Sequence, residues 1–213
     1  MEDRMQKIFA REDGRITLKI VPGHFVTPNA HITHYFDMTT LKARVSEAKT
    51  AAQLLAQKYS MSMIVDTIVC MDKTETIGTF FAEELSNAGI MSINTHSTIY
   101  VIAPEINTSG QIIFRDNLKM MIENKNVLIL MASATTGKTL QSCVESVLYY
   151  GGKVGGIAAV FSNVSKVSGV PVHAIFTQQD VPDYQSYSMA DCPMCRNRVK
   201  IDAMVNGYGY SKL

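Results

Sequence analysis

The residues best placed to do chemistry form one short run, Ala134-Thr-Thr-Gly-Lys-Thr139, which follows an apolar, β-prone stretch from Asn126 and precedes a helical pattern. A strand, a hydroxyl- and glycine-rich turn and a helix N-terminus make an anion cradle. Backbone N–H groups converge there, the helix dipole adds partial positive charge, and threonine hydroxyls add donors. Thr135, Thr136, Gly137, Lys138 and Thr139 are therefore candidate phosphate-binding residues. A second candidate, Met71-Asp-Lys-Thr-Glu75, puts a cation and a turn after another apolar run, Met63 to Cys70. Each has a plainer reading: threonine is a common helix N-cap, and Asp72 to Glu75 suits the acidic first turn of a helix. Cys192-Pro-Met-Cys195 looks like half of a zinc knuckle, but a tetrahedral site needs four ligands and no histidine stands at metal-ligand spacing. The pair reads as a structural turn, with zinc shared across a dimer as the alternative, and no metal ligand is assigned. His24, His31 and His34 crowd one segment and read as locally hydrogen-bonded side chains rather than catalysts.

These residues need elements to position them. An amphipathic helix is expected over 1–11, and alternation from Ile16 to Val21 suggests a strand. Leu41, Val45, Ala48, Ala52 and Leu55 fall at helical spacing, so a helix with one buried stripe is expected over about 40–58. Met63 to Cys70 reads as a buried strand, Ile77 to Ala88 as a helix stopped at Gly89, and Thr98 to Ile102 as a short strand. A long polar stretch, 103–125, then reads as a functional loop, or as a hairpin with Gln111 to Phe114 as one arm. Beyond the strand at 126–132 come a helix from about 137 to 150 ending at Gly151-Gly152, a strand from Lys153 to Phe161 and a last one from His173 to Phe176. The order β-α-β-loop-β-α-β calls for a mostly parallel sheet covered on both faces, with ligands at the carboxyl ends of its strands.

Bulk properties narrow the classes. A chain of 213 residues with 46% hydrophobic and 18% charged residues suits one globular domain, 1–213. Its formal charge of +1 argues against nucleic-acid binding. Apolar runs are too short to span a bilayer and the first residues lack the apolar core of a secretory signal, so a cytoplasmic protein without membrane partners is expected. The 13 methionines read as core and interface filler, and Tyr208-Gly-Tyr210 suits a subunit contact.

A nucleotide-binding P-loop would match Gly137-Lys138-Thr139, but its first glycine is Ala132 and no later strand ends in the aspartate of a magnesium shell. The strand plus Ala134 to Thr139 resembles the ribose-phosphate segment of type I phosphoribosyltransferases, where two acidic residues end the strand and a Thr-Thr-Gly turn holds a 5′-phosphate. Gly23-His-Phe25 with Thr33-His-Tyr-Phe36, and Asp180 to Tyr184 with Asp191-Cys-Pro-Met-Cys195, are similar to the hood and tail of the orotate phosphoribosyltransferase branch. The resemblance implies a parallel sheet flanked by helices, with a small hood from about 12–38 and 177–213. It also implies phosphoribosyl pyrophosphate or a related ribose phosphate as ligand, Mg²⁺, and a homodimer. Asp72, Lys73 and Thr74 would then hold pyrophosphate, and 103–125 would be the lid.

Four departures bear on the chemistry. Met131 and Ala132 stand where the family has its acidic pair, and the stretch Val101 to Ile106 has no lid cation, although Arg115 and Lys119 follow. Ser162-Asn163 replaces an Asp-Arg near the base, and Asn29-Ala30 replaces the hood's Ser-Gly. Catalytic residues are accordingly unassigned. Two functions fit: phosphoribosyl transfer to a base other than orotate, or a non-catalytic binder or sensor that uses only the phosphate cradle.

Overall fold

Apolar, β-rich runs separated by amphipathic stretches long enough to cross back over a sheet pair side by side in parallel. The computed structural model describes residues 2–87, 93, 94 and 98–213. Its strands are β1 (Gln6–Phe9), β2 (Thr17–Val26), β3 (His31–Asp37), β4 (Thr67–Cys70), β5 (Tyr100–Ile102), β6 (Glu105–Ile106), β7 (Ile112–Ile113), β8 (Asn126–Ala134), β9 (Lys153–Ser162), β10 (Lys166–Val167), β11 (Val170–Thr177), β12 (Ser186–Tyr187), β13 (Ala203–Asn206) and β14 (Gly209–Lys212). The helices are α1 (Thr39–Ala43), α2 (Val45–Ala56), α3 (Glu75–Asn87), α4 (Asp116–Lys119), α5 (Lys138–Tyr149) and α6 (Pro193–Arg196).

The main sheet runs β10-β11-β9-β8-β4-β5, parallel from β11 to β5 with β10 as an antiparallel edge. Successive residues of β8 face opposite cores. Leu128, Leu130 and Ala132 pack with α2 and α3, whereas Val127, Ile129 and Met131 pack with α5. Burying each Leu or Ile side chain is worth roughly 1.5–3 kcal/mol, so this central strand is the firmest platform for anything at its carboxyl end. A second sheet, β12-β3-β2-β13-β14 with β1 beside β2, is drawn from both ends of the chain and forms the hood. Among the described residues no helix is long and apolar enough to cross a membrane.

Several expectations need correcting. Residues 1–11 do not form an amphipathic helix: a 3-10 turn, Glu2–Arg4, leads into β1, which pairs antiparallel with β2. Over so short a run, helical and strand periods are hard to separate, and β2 offers an edge to pair with. The helix expected over 40–58 is broken at Arg44, whose extended backbone (φ −87°, ψ 119°) separates α1 from α2. Val45, expected inside, is 62% exposed, while Leu41, Ala48, Ala52 and Leu55 keep the buried stripe. The strand expected from Met63 contracts to β4, and Gly89, expected to stop α3, lies outside the described residues. Residues 105–113 form a hairpin, β6 with β7, followed by the short α4. His173 to Phe176 lies in β11 but is not the last strand, since β12, β13 and β14 follow.

Candidate functional site

At the end of β8 the chain turns through Thr135 to Gly137 and enters α5 at Lys138. Gly137, the N-cap, has φ 75°, a left-handed conformation that costs a residue with a Cβ about 1–2 kcal/mol. No side chain caps α5, which sets aside the reading of these threonines as helix caps. The first-turn N–H groups are left for water or an anion, at the positive end of the helix dipole. All five residues from Thr135 to Thr139 line a cavity of about 760 Å³. Asn29 Nδ2, on the hood turn, donates to Thr139 Oγ1 at 3.5 Å and brings the hood over the cradle.

Asp72 and Lys73 face the same cavity from the end of β4. Both are left-handed (φ 55° and 62°) without being glycine, a strain of about 1–3 kcal/mol each that the surroundings must hold. Beneath them Thr74 is fully buried, its hydroxyl donating to the Met71 carbonyl at 2.8 Å and the Leu130 carbonyl at 3.3 Å. Thr74 therefore braces the loop and does not line the cavity. Lys42, which the sequence did not single out, supports this loop. Its Nζ donates to the carbonyls of Asp72 at 3.0 Å and Gly207 at 2.8 Å, pinning the loop to the hood. Burial pushes the Asp72 carboxyl above its usual range, although Lys42 and the Ser133 N–H pull the other way. Any Cβ at position 207 would sit 2.5 Å from Asp72 Oδ1, so only glycine lets the β13–β14 turn approach. The Lys73 ammonium lies 5.2 Å from the centre of the Tyr208 ring. Because α3 begins at Glu75, Asp72 and Lys73 belong to a loop rather than to a helix's first turn.

The β6–β7 hairpin borders the third side of the cavity through Ile106, Thr108 to Gly110 and Ile112, and Ser146 of α5 anchors it by donating to the Ile112 carbonyl at 2.9 Å. The cations that follow the hairpin, at the ends of α4, are engaged elsewhere: Arg115 grips Glu105 and Lys119 pairs with Asp116 at 2.7 Å. Among the described lining residues, Lys73 and Lys138 are the cations. Between the two loops the floor is formed by Met71, Met131, Ser133 and Ala134 and carries no carboxylate. Met131, 3% exposed, lines the cavity, whereas Ala132, 4% exposed, packs into the core on the opposite face of β8. These residues do not fit a Mg²⁺ ion organised at the ribose hydroxyls, which needs carboxylates there. Ser162 spends its hydroxyl on its own turn, donating to the Val164 carbonyl at 2.7 Å, and the wall above carries Ile32, Tyr35 and Phe36.

The hood histidines do not line the cavity. His34 bonds Thr33, while His24 and His31 face each other with Nε2 and Nδ1 2.9 Å apart. Both face the cysteines of the tail: Cys195 Sγ lies 3.3 Å from His31 Nδ1, and Cys192 Sγ lies 3.6 Å from His24 Nε2. Sequence spacing alone had left the Cys192–Cys195 pair without histidine partners, and the fold supplies them. Burial pushes the Cys70 and Cys143 thiols up to about 12, so those two are inert core groups. Tyr210 packs on Tyr35, 5.4 Å between ring centres, within its own hood.

No protein-family profile matches the chain, and no curated protein sequence matches it. Solved structures do, and together with the sheet and its hood they define the type I phosphoribosyltransferase fold. The orotate phosphoribosyltransferase of Aeropyrum pernix is similar at a TM-score of 0.52 and 17% identity, over 76% of this chain and 89% of that one. That of Mycobacterium tuberculosis H37Rv, in complex with Fe(III) dicitrate, gives 0.51 and 15%, over 77% and 92%. The adenine phosphoribosyltransferase of Thermoanaerobacter pseudethanolicus gives 0.51 and 12%, over 83% and 96%. The fold replaces the P-loop reading, and it occurs in both orotate and adenine phosphoribosyltransferases.

Proposed function

We propose that this protein binds phosphoribosyl pyrophosphate, or a closely related ribose phosphate, and transfers the phosphoribosyl group to a base. One observation carries the reading: two loops suited to phosphate, 135–139 and 72–73, face one cavity bordered by a hairpin, matching a donor charged at both ends. A pure 5′-phosphate sensor would need only the first loop. In the reaction the C1′–O bond to pyrophosphate breaks, a base nitrogen forms the C1′–N bond, and the nitrogen's proton leaves to solvent or pyrophosphate. The oxocarbenium-like transition state requires water to be excluded, a task for the hairpin and hood. Mg²⁺ enters this reading only with the donor's own pyrophosphate. The apolar, aromatic wall suits a flat, uncharged acceptor, and with no arginine among the described lining residues orotate is a poor fit. A cytoplasmic homodimer completes the proposal, and sedimentation of the purified protein tests the dimer.

Met131 favours a second reading, a non-catalytic binder, because a thioether in the floor gives ribose hydroxyls nothing to bond. Phosphorus NMR of the protein with phosphoribosyl pyrophosphate and a panel of neutral bases separates the two. Base-dependent release of pyrophosphate supports transfer. Binding without release for any base overturns transfer and leaves the binder.

A further inference from the structure

Away from the cavity, four ligand atoms from opposite ends of the chain converge: His24, His31, Cys192 and Cys195, all within 4.8 Å of one another. Local structure aims each of them. Between Pro22 and Phe25 the β2–β3 register shifts, so Gly23 and His24 form a bulge, the device that re-aims a strand side chain. Pro193 starts the one-turn helix α6, and the following turn closes through Asn197, Arg198 and Val199 N–H groups donating back to Pro193, Cys195 and Met194. That knuckle leaves both cysteine sulfurs on the side facing the histidines.

Four of the six spacings lie within about 0.4 Å of those of a zinc tetrahedron, and all six are within 4.8 Å. With Zn–S of about 2.3 Å and Zn–N of about 2.05 Å, its edges are roughly 3.3 Å between nitrogens and 3.5 Å between nitrogen and sulfur. The nitrogen–sulfur contacts here are 3.3, 3.6 and 3.7 Å, and the nitrogen–nitrogen contact is 2.9 Å. His24 Nδ1 lies 2.9 Å from the Val199 carbonyl, which only accepts, so that nitrogen carries the proton and Nε2 turns its lone pair to the cluster. Hydrogen bonding alone explains the arrangement poorly: His31 Nδ1 and both thiols crowd that single lone pair. His24, His31 and Cys192 are 1%, 7% and 1% exposed, which closes the site to solvent on most sides. Two thiolates and two imidazoles in this geometry select zinc.

We infer that the hood holds a structural zinc ion on His24 Nε2, His31 Nδ1, Cys192 Sγ and Cys195 Sγ. Four protein ligands leave no open position, so the ion braces rather than catalyses. It ties β2 and β3 to the C-terminal tail just before β13 joins β2, and the turn after β13 borders the cavity. The site is independent of the phosphate reading and stands or falls separately.

Metal analysis and native mass spectrometry of protein purified under reducing conditions with added zinc test it. The expected result is one zinc per chain, released by a thiol-blocking mercurial, and lost from Cys195→Ser. Because that variant could simply misfold, the zinc X-ray absorption edge of the unaltered protein gives a second readout. It should show two sulfurs at about 2.3 Å and two nitrogens at about 2.0 Å. Cobalt(II) exchanged into the site should show the intense visible bands of tetrahedral coordination. Protein that takes up neither zinc nor cobalt overturns the inference, as does a Cys192–Cys195 disulfide in freshly reduced protein, an oxygen-rich shell, or full zinc retention in Cys195→Ser.

Discussion

At its carboxyl end β8 meets the cavity through Thr135 to Thr139, with hydroxyls, helix N–H groups that no side chain caps and a lysine; a few residues earlier the same strand offers the thioether of Met131. Both stretches rest on one rigid sheet, so the contrast is chemical rather than mechanical. The phosphate recognition proposed above would use backbone donors and a left-handed glycine, features that survive most side-chain changes. Recognition of ribose hydroxyls would depend on side-chain carboxylates on the strand, and Met131 and Ala132 offer none there. A ligand should accordingly be gripped by its phosphates and only loosely by its sugar.

The largest expected effect comes from breaking the polar end. Thr136→Ala with Gly137→Val removes a donor and forces a Cβ into a left-handed position, and should weaken binding of ribose phosphates about 100-fold. Calorimetry of the folded variant checks this, and unchanged affinity would remove the cradle from the site. Met131→Glu tests the other half of the contrast. One restored charge-assisted bond is worth about 1.5–3 kcal/mol, so phosphoribosyl pyrophosphate with Mg²⁺ should bind roughly tenfold tighter. Turnover should rise with it if the protein is a transferase. Ala132→Asp is a poor companion, because it would bury a carboxylate in the core.

A smaller change is expected from Lys42→Met, which frees the Asp72 and Gly207 carbonyls from their shared donor. Pyrophosphate affinity should fall several-fold while ribose 5-phosphate affinity holds; equal losses for both would mean the loop does not form a separate subsite. The smallest effect concerns pH. Burial raises the folded-state pKa of Asp72, so the folded protein holds this proton more tightly than the unfolded chain does. That contribution is fully present below the unfolded pKa, near 3.9, and is lost as pH rises through the raised folded value, above roughly 3.9. Asp72→Asn cannot ionise, so its Tm should gain on the wild type by a few degrees as pH rises across that window. A wild-type Tm that gains instead would mean that Lys42 outweighs burial.

Much of the parallel sheet was legible because β8, β9 and α5 carry uninterrupted signals: apolar runs, helical spacing and the Gly151-Gly152 stop. Around the hood the signals were weaker. Gln6–Phe9 is too short for its period to be decided, and the break at Arg44 leaves no trace in a stripe that continues through it. One missed element was readable: the apolar run Ala203-Met-Val205 ends in Asn206-Gly-Tyr-Gly209, whose glycines mark the turn between β13 and β14. The pinning role of Lys42 and the meeting of His24 and His31 with Cys192 and Cys195 were not readable. Each depends on contacts between segments far apart in the chain, aimed by a bulge and a buried loop that no spacing rule encodes.

The central claim is that one cavity holds a ligand by two separate phosphate ends. Calorimetric titration of the purified protein with phosphoribosyl pyrophosphate and Mg²⁺, beside ribose 5-phosphate, pyrophosphate and ATP, tests it most directly. The account predicts that each half-ligand binds weakly, that the two compete with phosphoribosyl pyrophosphate but not with each other, and that the whole donor binds tightest. ATP preferred over every ribose phosphate, or no binding by any of them, would contradict it.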